Sequence, residues 1–238
     1  MNATADESRP ATGLKPLSRS RLYEQVAEQI MEWVRENGLK AGDKLRPERE
    51  LAVSLGVSRA TVRQALVALE VIGVVAVRHG DGAILADGSG SAKVLEAIRA
   101  HARRIPDVID ARDALETKMA ALAATRRTAD DLARIDDALE VMAKDIEEGG
   151  RGLSGDELFH AAVTAAAHSS LLAGMMAEIS DLILETRIES LGQPGRPADS
   201  VIAHRRIADA IRDGDASGAA TAMHDHVEMV SDVALLRD

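Results

Sequence analysis

The chain has 238 residues, of which 46% are hydrophobic, enough for two cores. It contains no cysteine, which excludes a disulfide framework and thiolate metal sites, and only Tyr23, Trp33 and Phe159 are aromatic, too few for ring-stacking platforms that bind single strands or RNA. The formal net charge is −10, no apolar run reaches membrane-span length, and residues 1–16 have no signal-peptide core, so they read as a disordered arm on a cytoplasmic protein.

Leu45–Ala86 is the most telling stretch and reads as two short helices, a tight turn, a third helix and a two-stranded wing. A helix with Glu48, Arg49, Glu50 and Leu51 ends at Gly56. Ser58 then stands where an N-cap belongs, its oxygen able to accept an orphan N–H of the next turn. Val62, Leu66 and Leu69 stripe the following helix, and Arg59, Thr61 and Arg63 fall on its opposite face. Short capped helices about a glycine turn are the helix-turn-helix pattern, here near 48–67, whose second helix enters the major groove with its N-terminal residues on base edges. Arg59 and Arg63 are therefore candidates for guanine or phosphate contact, the alternative being surface pairing with Glu48 or Glu50. After Gly73 the period turns extended: Val74–Val77 and Ala83–Ala86 are β-prone, with His79-Gly80-Asp81-Gly82 as a hairpin turn.

The run L-R-P-E-R-E-L-A, the helix G-V-S-R-A-T-V-R-Q-A-L and the H-G wing tip resemble the winged-helix domain of the GntR family of bacterial transcription regulators, over about 17–86. The resemblance implies double-stranded operator DNA as partner. By matching motif positions it also implies DNA contact by Arg49, Ser58, Arg59, Thr61, Arg63, His79 and Gly80. Residues 1–88 hold 12 Lys+Arg and 12 Asp+Glu, so the whole net charge falls on the remainder, which phosphates would repel. The polar, flexible segment Asp87-Gly-Ser-Gly-Ser91 places a linker at 87–92.

From 93 to 236 nothing reads as a strand. Leu132, Ile135, Leu139, Met142 and Ile146 form one helical stripe ending at Gly149-Gly150, and similar stripes cover Ile105–Leu122, Leu171–Ile188, Val201–Ile211 and Ala219–Leu235. With a segment at Ala92–Arg103, the expectation is an all-α antiparallel bundle of six or seven helices, Ala-rich where helices approach closely. The fold class is thus mainly α, a winged helix followed by a helical bundle.

Ser154-Gly155-Asp156-Glu157 has capping-box spacing, which places Asp156 in the first turn of a helix with His160 one turn above it. Gly214-Asp215 divides His204 from His226 nearly evenly, so two helices folded there bring both imidazoles to one height. Three imidazoles and one carboxylate can then converge, a donor set that suits zinc first, with nickel, manganese or iron as alternatives, and disfavours calcium and magnesium. Because imidazoles must be neutral to coordinate, acidification below about pH 6 is expected to release the ion. His224 should face elsewhere, and His101 and His168 have no partner at ligand spacing.

This pattern resembles the FCD-type helical effector domain of the FadR subfamily within the GntR family. That resemblance implies a divalent metal on Asp156, His160, His204 and His226. An arginine in an R-x-x-L-E context faces the effector cavity in the subfamily, which implicates Arg112; a salt bridge to Glu116 is the alternative. Ser169 stands where an Asn is common and is assigned its polar, effector-facing role.

Three functions follow: a ligand-responsive regulator whose bundle binds a metal and a small carboxylate, a regulator that senses the metal itself, or a metalloenzyme on a DNA anchor. The last is disfavoured because no H-E-x-x-H occurs and only Glu157 offers a general base beside the ligands, so the chain is expected not to be an enzyme. One small reading head is too little for high specificity, and apolar helix faces remain after one bundle closes, so a homodimer on a two-fold operator is expected.

Overall fold

In a computed structural model, which describes residues 20–78, 82–86 and 94–231, the chain is mainly α-helical. The 1–16 arm, the 87–92 linker, wing-tip His79 and Gly80, and the end of the last stripe lie outside the described residues. The first unit contains α1 (Ser20–Glu36), α2 (Glu48–Leu55), α3 (Arg59–Val71), β1 (Val75–Arg78) and β2 (Gly82–Leu85). Only two helices fall within Leu45–Ala86, not the three expected. The remaining helix is α1, upstream, because Gly38 and Gly42 take left-handed φ and turn the chain before α2.

Gly56 closes α2 at φ 66°, its N–H on the Ala52 and Val53 carbonyls, and Ser58 Oγ accepts the Thr61 N–H to start α3. β1 and β2 pair antiparallel, with Val75 opposite Leu85 and Arg78 opposite Gly82. The ladder sits nearer the wing tip than expected, since the Val74 N–H is taken by the Leu69 carbonyl at the end of α3. Val62, Leu66 and Leu69 pack with Tyr23, Leu51 and Leu85 in one core.

Among the described residues seven helices follow: α4 (Val94–Arg126), α5 (Ala129–Glu147), α6 (Leu153–Ala166), α7 (Ser170–Glu178), α8 (Ser180–Leu191), α9 (Arg196–Asp213) and α10 (Ala216–Ser231). Ala92–Arg103 is no separate element. From Val94 the helix continues through Pro106 into the Ile105–Leu122 stripe; Pro106 removes one helical N–H, and Ile105 and Val108 near it are buried. The Leu171–Ile188 stripe is instead two helices, interrupted at Ile179 (φ −108°, ψ 8°).

Helix α6 begins one residue before Ser154, after left-handed Gly152, so Ser154 is not the cap it was expected to be. Asp145 of α5 accepts the Gly152 N–H and fixes this start. Asp156 still lies in the first turn. Among the described residues no helix is long and apolar enough to cross a membrane.

Candidate metal centre and DNA face

Helix α6 supplies Asp156 and His160, α9 supplies His204 and α10 supplies His226, and all four side chains are buried. One ligand atom from each lies within 4.8 Å of those of the others. Gly214, at φ 77°, makes the turn that brings α9 back as α10, which is why residues 22 apart meet with Nε2 atoms 3.3 Å apart. Nitrogens bound to one ion at about 2.0–2.1 Å sit about 3–3.4 Å from each other, so this spacing fits a shared cation. Asp156 lies 3.6 Å from His204 Nε2 and 3.9 Å from His160 Nε2.

Electrostatics prepare the same chemistry. Burial pushes the His204 imidazole down to about 3 and holds His226 well below its ordinary range, so both are neutral donors near pH 7. Burial alone would raise the Asp156 carboxyl, but the positive charges around it, with Arg187 and Arg112 the ones that persist at neutral pH, outweigh it and keep it ionised. Nε2 of His160, Nδ1 of His204 and of His226, and Oδ2 of Asp156 make no hydrogen bond among the described residues. Buried polar atoms rarely stay orphaned, and a cation would answer those facing the cluster centre.

Arg112 on α4 is fully excluded from solvent. Its Nε donates to Glu116 at 3.0 Å and one terminal nitrogen to Thr186 at 2.9 Å, while Nη2 has no partner. Arg112 is thus bridged to Glu116, as the alternative reading expected, and keeps one terminal nitrogen without a hydrogen-bond partner. Glu116 also brings Oε2 to 2.8 Å from His160 Nδ1. Burial would raise the Glu116 carboxyl, but Arg112 and His160 hold it well below its usual range. Glu116 entered the sequence reading only as the i+4 partner of Arg112. Thr186 and Arg187 on α8 gave no sequence signal, because nothing local marks which face of α8 meets α4.

Ser169 is the half-buried residue preceding α7, and its hydroxyl makes no hydrogen bond to this group. His224 faces Asp113 at 2.7 Å, away from the cluster. His168 and His101 lack ligand-spaced neighbours but are paired, His168 with Asp131 at 2.8 Å and buried His101 with Glu185 and Glu189 at 2.8 and 3.2 Å.

On the first unit Arg49 and Arg59 are exposed, and Thr61 is half-buried. The Ser58 hydroxyl is occupied as the cap of α3. Arg63 is engaged: its Nε and Nη2 fork onto Glu48 at 3.1 and 2.8 Å. Further along α3, Glu70 accepts the Val77 N–H of the wing at 3.0 Å and a fork from Arg151 at 2.9 and 2.7 Å. Arg151 directly precedes Gly152 and α6, so the reading helix is tied to the segment that carries Asp156. Arg99 of α4 reaches Glu24 of α1 at 3.1 Å, and Ile98 completes the first core.

Residues 22–85 match the family described as bacterial regulatory proteins, gntR family, and residues 107–229 match the FCD domain. The transcriptional regulator LutR of Bacillus subtilis is 34% identical over 84% of this chain and 95% of its own. A putative L-lactate dehydrogenase operon regulatory protein of Escherichia coli is 31% identical over 88% of this chain and 85% of its own. A GntR structure from Streptococcus agalactiae aligns at 26% identity, covering 89% of this chain and 99% of its own, with a TM-score of 0.46.

Proposed function

The chain belongs to the gntR family of bacterial regulatory proteins and carries an FCD domain, so it is a DNA-binding transcription regulator, and we propose that a divalent metal with a small carboxylate effector controls it. The observation that carries this reading is one buried group: Asp156, His160, His204 and His226 within ligand distance of each other, beside an Arg112 nitrogen without a partner. The four side chains would hold the ion, which would supply open positions for a carboxylate. Arg112 would bind the same carboxylate by charge-assisted hydrogen bonds. Arg49, Ser58, Arg59, Thr61, Arg63, His79 and Gly80 are the proposed DNA contacts, Ser58 through its backbone because its hydroxyl caps α3.

Effector binding would reach DNA through short mechanical links. Any shift of α6 relative to α8 moves Arg151, and with it the Glu70 end of α3 and the wing strand β1. A Cβ on Gly192, after α8, would meet Val67 of α3, so α8 presses on the same helix. In a dimer this would change the distance between two reading heads. The relative named for an L-lactate dehydrogenase operon supports an organic acid as the class of signal.

Elemental analysis of the purified protein tests the site: about one equivalent of metal is expected in the wild type and none in the His204→Ala, His226→Ala double variant. The double variant should still bind a DNA fragment selected from random sequence by the wild type, but no longer respond to carboxylates. One equivalent of metal retained in it would overturn the shared site. Light scattering should report a dimer at micromolar concentration.

A further inference from the structure

Beside the four metal-competent side chains the bundle packs two guanidiniums, Arg112 fully buried and Arg187 with its side chain 11% exposed. Arg112 keeps Nη2 unpartnered with no exposure to solvent. Arg187, next to the Thr186 that Arg112 binds, lies with Nε 2.9 Å from Oδ2 of Asp156, yet its N–H is not directed at that oxygen and both atoms remain without a hydrogen bond. In this arrangement Asp156 is the anion nearest Arg187, and Asp156 is also the carboxylate the metal requires.

The charges of this buried group can be counted. Glu116 and Asp156 balance Arg112 and Arg187, and coordinating imidazoles are neutral. A divalent cation therefore leaves the group about two positive charges in excess, and uncompensated buried charge is costly. It also takes the carboxylate on which Arg187 leans. A ligand with one negative charge corrects half of this excess and leaves Arg187 unpaired. One with two negative groups corrects all of it and occupies both guanidiniums.

We propose that Arg187 and Arg112 form a two-guanidinium receptor and that the effector is a small dicarboxylate, with Arg187 as the residue that selects the second carboxylate. This rests on the metal-and-carboxylate reading above and narrows it to one ligand class.

The test uses full-length protein stripped with a chelator and reloaded with zinc, titrated calorimetrically with malonate and succinate against acetate and L-lactate. Wild-type protein should bind at least one diacid about tenfold or more tighter than either monoacid, since a charge-assisted arginine fork is gained. Arg187→Gln should lose that preference, its diacid affinity falling about tenfold or more relative to its monoacid affinity, while it keeps its zinc by elemental analysis, because the contact it removes belongs to the second carboxylate. Arg187→Lys, which keeps charge without the fork, should retain part of the preference and serves if the glutamine variant does not fold. Equal wild-type affinity for both classes, or an undiminished preference in Arg187→Gln, would overturn the proposal and leave the regulator reading intact. Zinc-loaded wild type that binds no carboxylate of either class would overturn the effector reading and this proposal together.

Discussion

Glu116 stands between the two halves of the site, one oxygen accepting from Arg112 and the other beside His160 Nδ1. A carboxylate on the second nitrogen of a metal-binding imidazole fixes its orientation, and losing such a partner costs about 10–100-fold in metal affinity. Glu116→Gln keeps the shape and removes the charge, so zinc affinity measured against a chromophoric chelator should fall by that order. On the DNA face, the half-buried fork of Arg63 on Glu48 is worth about 1 kcal/mol after solvent screening, at the low end of the about 1–3 kcal/mol of a base contact by arginine. DNA can therefore take Arg63 from Glu48. Arg59→Ala and Arg63→Ala should each weaken specific binding by about 1–3 kcal/mol in fluorescence anisotropy; an Arg63→Ala variant at full affinity would remove that residue from the interface.

Among the elements, α5 and α6 set the height of Asp156. A Cβ on Gly155 would run into the backbone of Met142, so only glycine lets the two helices approach this closely, one residue before the metal-competent carboxylate. Gly155→Ala should cost about 1–3 kcal/mol by overpacking and lower zinc content with it, read by urea unfolding and elemental analysis. The start of α5 depends on Asp131, buried and bonded to the Thr128 N–H and hydroxyl, His168 and Arg134. Burial would raise this carboxyl, but those donors pull it far below its ordinary range. Its stabilisation is thus fully present above the unfolded carboxylate pKa of about 3.9 and is lost as pH falls further. Asp131→Ala should cost about 1–2 kcal/mol at pH 7 and noticeably less at pH 3.

Across the whole molecule α4 is the shared beam, contributing Ile98 to the first core and Arg112 and Glu116 to the centre of the bundle. His101 joins it to α8 through Glu185 and Glu189. Burial opposes the imidazolium, but these carboxylates prevail and raise its pKa. A raised histidine stabilises fully below its unfolded pKa of about 6.5 and loses that contribution as pH climbs through the folded value. Urea midpoints should therefore fall with rising pH above neutrality in the wild type, and His101→Gln should flatten that slope. The buried pair His204 and His226 has the opposite sign. Acid should displace zinc by protonating the coordinating imidazoles, and at His204 it does so against the burial that pushes this imidazole down to about 3. Stripped protein should melt at a lower temperature than zinc-loaded protein, since an ion that binds only the folded state stabilises it by mass action.

Local chemistry determined much of this protein by itself. Gly56, Ser58 and the Val62, Leu66, Leu69 stripe specify the helix-turn-helix within about twenty residues, because caps and helical periods act over one or two turns. The spacing of His204 and His226 about Gly214 was legible for the same reason: a helical hairpin converts sequence distance into height. What lies across helices was not. Whether α4 survives Pro106, whether one stripe becomes α7 and α8, and which residues of α8 face Arg112 depend on neighbours far away in sequence. Thr186 and Arg187 reach the site, and His101 finds Glu185, only once the helices are packed, since partners so far apart in sequence share no local period.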